Sequence, residues 1–332
     1  MKSILLGNGN TWRVYPVRRL EALEQEAGLD RQLYSREDVI KNPACAADAE
    51  FIFSTWGMPK FTEEEIARYF PKLKAIFYSA GTVQAFARPF LNRGVRIFSA
   101  WGANAVPVAE YTVAQILLAN KGFFHACRRS TDPESRAAGQ RYHIGMPGNY
   151  ETKVGLIGAG MIGKLVLQML KPYDLDVMIS STSMTEEKAA SYGARKATTE
   201  EIFSQCQTIS NHVADLPATK GIFNKDLFKL MKPTATFINT GRGAQVVEED
   251  LIAVLRENPD MTAVLDVTCP EPPEAGSPLY TLPNVYLTPH IAGSSGNEVQ
   301  RMSAYMLDEF RRFTSGQACQ WEVTEKMLET MA

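Results

Sequence analysis

The sequence predicts two α/β domains, each a parallel sheet flanked by helices. Three observations carry this reading. Short apolar runs alternate with amphipathic stretches through the first hundred residues, the alternation resumes after residue 153, and a glycine-rich turn joins the first strand and helix of that second series. At 332 residues the chain exceeds the usual size of a single domain, so two separate cores are expected.

In the first series, Ser3–Leu6, Phe51–Thr55, Ala75–Ser79 and Val95–Ser99 are apolar runs of strand length, as expected for buried strands. Helical periodicity lies between them and is clearest over Glu63–Phe70. Val106–Ala119 is apolar on nearly every face and reads as a helix buried between two domains, with Pro107 tolerated in its first turn. The stretch Arg128–Asn149 carries Pro133, Gly139, Gly145, Pro147 and Gly148 and reads as a loop. In the second series strands are expected at Val154–Ile157, Val177–Ser180, Thr208–Val213, Thr236–Asn239, Ala263–Val267 and Val285–Leu287. Helices are expected at Ile162–Leu170, Thr199–Gln205, Lys225–Met231 and Glu248–Glu257, so six strands with crossovers make a doubly wound sheet.

Composition excludes several functions. Basic and acidic residues number 35 and 37, and no run of Lys and Arg exceeds a pair, which leaves no footprint for nucleic acid or an anionic membrane. The N-terminal apolar run Ile4-Leu5-Leu6 is far shorter than a secretory core, so a soluble cytoplasmic protein is expected. The five cysteines stand at least 50 residues apart without a nearby histidine in ligand spacing; they are expected to be reduced, and no metal site is expected.

Gly158-Ala159-Gly160-Met161-Ile162-Gly163 is a G-x-G-x-x-G pattern that, with 23 glycines in the chain, arises by chance about 0.1 times. Its place between a strand and a helix adds the missing specificity. There the glycines permit a tight turn, backbone approach to a pyrophosphate and close seating of the helix, whose first amides face the phosphate oxygens. An NAD site usually has Asp or Glu at the end of the next strand to hold the ribose hydroxyls, but this chain has Ser180-Ser181-Thr182-Ser183. Ser181 and Thr182 are candidates for that position. The run admits NAD or NADP, and the serines could equally serve as caps of the following helix.

Polar residues gather where three later strands should end, the edge at which open α/β sheets bind ligands. They lie in Asn239-Thr240-Gly241-Arg242-Gly243, in Asp266-Val267-Thr268-Cys269-Pro270-Glu271-Pro272 and in Thr288-Pro289-His290-Ile291-Ala292-Gly293-Ser294. Together with the glycine motif, in this order and spacing, they resemble the D-isomer-specific 2-hydroxyacid dehydrogenase family, over most of the chain and most densely between residues 154 and 294. The resemblance implies a Rossmann-type cofactor domain, residues 104–293, inserted into a smaller flavodoxin-like substrate domain, residues 1–103 and 294–332, which the helix near 297–312 completes. It places the site in the cleft between the domains, with Gly102 and Gly293 as natural hinges.

The implied activity is hydride transfer between NAD(P)H and a 2-oxo acid or D-2-hydroxy acid. The resemblance makes Arg242 the binder of the substrate carboxylate and carbonyl, His290 the acid/base and Glu271 its carboxylate partner. The chemistry agrees. Hydride arriving at a ketone leaves an alkoxide that needs a proton from a group titrating near neutrality; a carboxylate stabilises the imidazolium, and guanidinium matches a carboxylate in shape. Singly, each residue has a plainer reading, as a loop histidine, a turn arginine or a solvated glutamate.

By the same resemblance Thr240, Gly241 and Val213 border the cofactor, and Asp266 faces the nicotinamide, with helix capping as its alternative. His212, beside Val213, reads more simply as a buried structural residue. Ala80, Gly81 and Thr82 match the loop whose amides grip the carboxylate, although Val83 stands where the family often has Asn or Asp. Trp56 and Trp101 fall near the expected cleft, where they could line the pocket or serve packing. The family implies a homodimer. Two other readings share the fold: formate dehydrogenases, which carry Gln at the position of Glu271, and nucleotide-sensing corepressors, which keep all three polar residues but bear long disordered tails.

Overall fold

In the computed structural model, which describes residues 1–329, the chain divides into two compact units: residues 1–104 with the segment from Ser294 onward, and Ala105–Gly293. Positions 330–332, assigned above to the substrate domain, lie outside the described residues.

The first unit contains β1 (Ser3–Leu6), β2 (Leu29–Tyr34), β3 (Phe51–Ser54), β4 (Ala75–Tyr78) and β5 (Arg96–Ser99). They pair in parallel in the order β5-β4-β3-β1-β2, the doubly wound order of flavodoxin-like sheets. Every residue of β1, β3 and β4 is buried, which is why the sequence shows them as unbroken apolar runs. β2 was not among the expected strands. It forms the sheet edge, where its central Asp30, Arg31 and Gln32 can meet solvent, so no apolar run marks it. Phe77 stacks between Phe53 and Phe98, with ring centroids at 5.2 and 5.0 Å. The returning helix Val299–Thr314 sets Phe310 edge-on against Phe51 and Phe77 at 5.3 and 5.4 Å, so the C-terminal segment completes this core. Beyond it, Glu322–Val323 pairs antiparallel with β5, and Glu322 accepts two hydrogen bonds of 2.6 Å from Arg96.

The second unit contains β6 (Lys153–Ile157), β7 (Asp176–Ser180), β8 (Ala194–Lys196), β9 (Thr208–Asn211), β10 (Thr236–Asn239), β11 (Thr262–Leu265) and β12 (Val285–Leu287). Its parallel sheet runs β8-β7-β6-β9-β10-β11-β12, the Rossmann order with one further strand. The seventh strand, β8, escaped the sequence reading because it is a short edge with Arg195 and Lys196 exposed. Alternate residues supply two cores: Ile209, Phe237 and Ala263 face one, Leu156, Ile238 and Val264 the other.

Two expectations are corrected. The stretch read as a loop over Arg128–Asn149 contains the helix Pro133–Ile144. Asp132 caps it by accepting the Glu134 and Ser135 amides at 2.9 and 2.8 Å, and Pro133 occupies the first turn, where a missing amide costs nothing. Gly139 is there for closeness: a Cβ would stand 2.9 Å from the Ala126 carbonyl oxygen. The residues taken as loop signals are thus a helix start, a close contact and a helix end. The apolar helix begins at Trp101 and ends at Asn120, so Pro107 lies in its interior and deprives the Ala103 carbonyl of an amide partner.

Candidate active site

β6 runs into the glycine turn, and the helix Met161–Leu170 starts directly after it. Gly158 has φ +98°, and a Cβ there would stand 2.5 Å from the His212 carbonyl oxygen. A Cβ on Gly163 would stand 2.2 Å from the Gly158 carbonyl oxygen. The first glycine therefore lets the turn approach the chain after β9, and the second seats the helix on the turn. Gly160 differs, since no atom beyond its own chain neighbours lies within 4 Å of where its Cβ would be. The amides of Met161 and Ile162 begin the helix beside this open face without an intrahelical acceptor. Open space, free amides and the positive helix end fit a dinucleotide pyrophosphate.

At the end of β7, the Ser180 hydroxyl meets that of Thr199 at 3.0 Å. The serines do not cap the next helix. Thr185 does, accepting the Lys188 amide at 3.2 Å, while the Ser183 amide and hydroxyl lie 3.2 and 3.1 Å from Ser181 Oγ in a local turn. Ser181 is half-buried, Thr182 exposed, and no carboxylate stands within residues 180–184.

The loops after β11 and β12 bring Glu271 and His290 together: His290 Nδ1 lies 2.7 Å from Glu271 Oε1, with side chains 51% and 42% exposed. His290 has φ +55°, a left-handed conformation that a non-glycine residue keeps only when its surroundings enforce it. Asp266 supplies that enforcement. Its buried carboxylate accepts from Thr288 Oγ1 at 2.6 Å, the Ile291 amide at 2.8 Å and the Ala292 amide at 3.0 Å. The Asp266 carbonyl oxygen also takes the His290 amide at 3.1 Å. Asp266 therefore ties down the segment that carries His290, and it caps no helix. Tyr111 reaches the same segment, its hydroxyl 3.1 Å from Thr288 Oγ1.

Arg242 follows β10. Its Nη1 donates to the Gly241 carbonyl at 2.8 Å, which leaves guanidinium donors to spare. A Cβ on Gly243 would fall 2.0 Å from the Thr268 carbonyl carbon, so the Arg242 loop and the loop leading to Glu271 meet backbone to backbone. Thr240 is buried, its hydroxyl 3.3 Å from that of Thr112. The Val213 amide is taken by Asn211 Oδ1 at 2.9 Å. His212 is buried with Nε2 3.0 Å from Ser210 Oγ, and burial pushes its pKa down to about 4, so it stays neutral.

The sequence pattern marked the Asn239 and Thr288 segments without giving either residue a role and passed over Asn211 and Gln245; Asn211, Asn239 and Gln245 are fully buried carboxamides beside Arg242, and Thr288 is a partner of Asp266. The available signal was polarity at strand ends: Asn211 and Asn239 close β9 and β10 at paired positions.

In the first unit the Ala80 amide is spent on the Tyr78 carbonyl at 2.9 Å, whereas those of Gly81 and Thr82 have no partner among the described residues. Ser99 Oγ donates to the Ala80 carbonyl at 2.9 Å and holds the loop. Trp101 packs edge-on against Trp321 at 5.4 Å, and Trp56 is half-buried against the core. Gly102 has a packing reason, since a Cβ there would stand 2.3 Å from the Trp321 ring.

A Rossmann sheet with a pyrophosphate-fitted first turn, and with charged groups gathered at its strand ends, defines a dinucleotide-binding α/β protein. Residues 115–292, more than half of the chain, match the NAD binding domain of the D-isomer specific 2-hydroxyacid dehydrogenases, and the chain belongs to that family. It is 32% identical over 273 residues to a formate dehydrogenase of Neurospora crassa, covering 77% of this chain and 71% of that protein. It is 37% identical over 154 residues to a human glyoxylate reductase/hydroxypyruvate reductase, covering 46% and 47%. A putative 2-hydroxyacid dehydrogenase of Bacillus subtilis, YoaD, is 31% identical over 206 residues, covering 61% and 59%. The same fold occurs in Rhodotorula graminis D-mandelate dehydrogenase (TM-score 0.80, 18% identity, 98% and 97% coverage). It also occurs in a 2-hydroxyacid dehydrogenase from Lactobacillus delbrueckii (TM-score 0.79, 18% identity, 97% and 100%). No helix among the described residues is long and apolar enough to cross a membrane, and no group of three or more His, Cys, Asp or Glu among them is placed to hold a metal ion.

Proposed function

We propose that this protein is a dehydrogenase that interconverts a 2-oxo acid and the D-2-hydroxy acid, with NADH or NADPH as the hydride carrier. The observation that carries this reading is the 2.7 Å contact between His290 and Glu271, held by a strained and tethered loop beside the Arg242 segment. Such a pair serves a reaction that needs one proton at an alkoxide. The bound nicotinamide supplies or accepts the hydride.

Each remaining part follows from this chain's own residues. Arg242 presents its spare donors to the carboxylate and carbonyl of the acid. His290, with Nδ1 turned to Glu271, offers Nε2 to the carbonyl oxygen and protonates it as negative charge develops. Glu271 fixes the ring orientation and favours the imidazolium. In the first unit the free amides of Gly81 and Thr82 are donors of the kind a carboxylate takes, and we assign them that role; Ala80 contributes only shape. The Gly158–Gly163 turn receives the pyrophosphate, with Thr240, Gly241 and Val213 bordering the dinucleotide. Ser181 and Thr182, without a carboxylate beside them, accept either a ribose hydroxyl or a 2′-phosphate. The homodimer is carried over from the family as the assembled form.

The test is the change in 340 nm absorbance with NADH and, separately, NADPH against glyoxylate, hydroxypyruvate, pyruvate and bulkier 2-oxo acids. His290→Ala is expected to lose roughly two to four decades of rate while binding the dinucleotide normally. Near-normal turnover by that variant rejects the assignment. Tight dinucleotide binding without turnover of any acid points to a nucleotide-sensing protein instead.

A further inference from the structure

We propose that Gln245, with Asn211 and Asn239, is a positioning device that locks the Arg242 loop to the turn after β9; this rests on the function proposed above. All three carboxamides are fully buried, and Asn211 and Asn239 are register partners at the ends of β9 and β10. Asn211 Nδ2 donates to Asn239 Oδ1 at 2.9 Å and to Gln245 Oε1 at 2.6 Å. Gln245 Oε1 also accepts the Arg242 amide at 3.2 Å, and Asn239 Nδ2 donates to the Arg242 carbonyl at 3.2 Å. Both backbone polar groups of Arg242 thus end on this cluster. Asn239 Oδ1 takes the Gly241 amide at 3.1 Å, and Gln245 Nε2 donates to the carbonyls of Val213 and Ala214, each at 2.9 Å.

The network is closed. Each amide nitrogen faces oxygens and each amide oxygen faces N–H groups, so every carboxamide has one allowed orientation. A Cβ on Gly241 would stand 2.7 Å from Asn211 Nδ2, so the loop is pressed directly onto the cluster. The turn that Gln245 grips is the one whose His212 carbonyl abuts Gly158. Gln245 therefore sets the Arg242 backbone relative to the Gly158 turn from a fully buried position. It acts through Arg242, whose guanidinium can serve a carboxylate only if the loop beneath it is fixed. Misplacement by about an ångström of a group that orients a substrate costs on the order of a hundredfold in rate.

The experiment is a double-mutant cycle on the full-length protein, with steady-state kinetics on the best 2-oxo acid and dinucleotide affinity by fluorescence titration. Gln245→Met is expected to lower kcat/KM roughly 10- to 100-fold, chiefly through KM for the acid, while dinucleotide affinity changes less than about threefold. In the Arg242→Ala background the same substitution is expected to cost less than about threefold, because the group it positions is gone. Equal losses in both backgrounds, or a loss confined to dinucleotide affinity, overturn the proposal. If Gln245→Met does not give a cooperative melt, the cycle is run with Asn239→Ala, which removes both the acceptor for Gly241 and the donor to the Arg242 carbonyl, and the same two outcomes decide. Absence of wild-type turnover on every 2-oxo acid is a separate result that rejects the proposed function and this inference with it.

Discussion

Replacing Asp266 by Asn tests whether the tether on the His290 segment is what keeps His290 in place against Glu271. The carboxylate accepts three hydrogen bonds, two on Oδ1 from Thr288 and Ile291 and one on Oδ2 from Ala292. A carboxamide has one oxygen, so its nitrogen must face at least one N–H donor. The least costly arrangement keeps the oxygen toward Thr288 and Ile291 and leaves the buried Ala292 amide unpaired, at about 1–3 kcal/mol. The two remaining bonds lose their charge assistance, adding about 1 kcal/mol each. The tethered conformation should therefore weaken by roughly 3–5 kcal/mol, comparable to or greater than the 1–3 kcal/mol or so that a left-handed non-glycine residue costs to hold. His290 is then expected to leave its φ of +55° for part of the time and to lose its place against Glu271. The assays are guanidinium denaturation and turnover at 340 nm. An unfolding free energy lower by about 3 kcal/mol is expected, with kcat falling roughly 10- to 100-fold. Unchanged stability would show that the three bonds do not carry this weight. Lower stability with kcat intact would show that His290 is held by something else.

His212 predicts an acid-sensitive fold. Burial lowers its pKa from 6.5 to about 4, so below pH 6.5 the unfolded chain takes up a proton that the folded chain refuses. The stability it contributes is complete above the unfolded pKa and is lost as the pH falls toward 4. By linkage the loss between pH 7 and pH 5 is about 2 kcal/mol; denaturant titrations of His212→Gln should show a pH slope shallower than wild type by that amount, and equal slopes would reject the account. Gly243→Ala puts a Cβ 2.0 Å from the Thr268 carbonyl carbon, so it must separate the Arg242 loop from the loop carrying Glu271. It should abolish turnover while dinucleotide binding, read by fluorescence, survives; a variant with turnover within a factor of about three of wild type would contradict the backbone-to-backbone contact.

Local patterns were readable wherever a single segment dictates its own surroundings. The unbroken apolar runs of β1, β3 and β4 are strands buried on both faces, and the position of Gly158 after β6 follows from the turn it must make. The polar edges β2 and β8 were invisible for the converse reason, since a strand half in water needs no apolar signature. The helix Pro133–Ile144 was misread because proline and glycine mark loops and helix ends alike, and only the Asp132 cap and the contact of Gly139 with Ala126 distinguish the two.

The two-domain α/β plan, the glycine turn and the candidacy of Arg242, Glu271 and His290 were legible in the sequence, because they depend on local pattern and on motif order along the chain. What holds these groups in place emerges from the folded chain alone. That Asp266 anchors the histidine segment 25 residues on, that Gly243 joins two loops, and that Asn211 reaches Asn239 and Gln245 across 28 and 34 residues are facts about residues far apart in sequence. A buried polar atom must find its partner wherever the fold supplies one, and that partner cannot be read from its own neighbours in the chain.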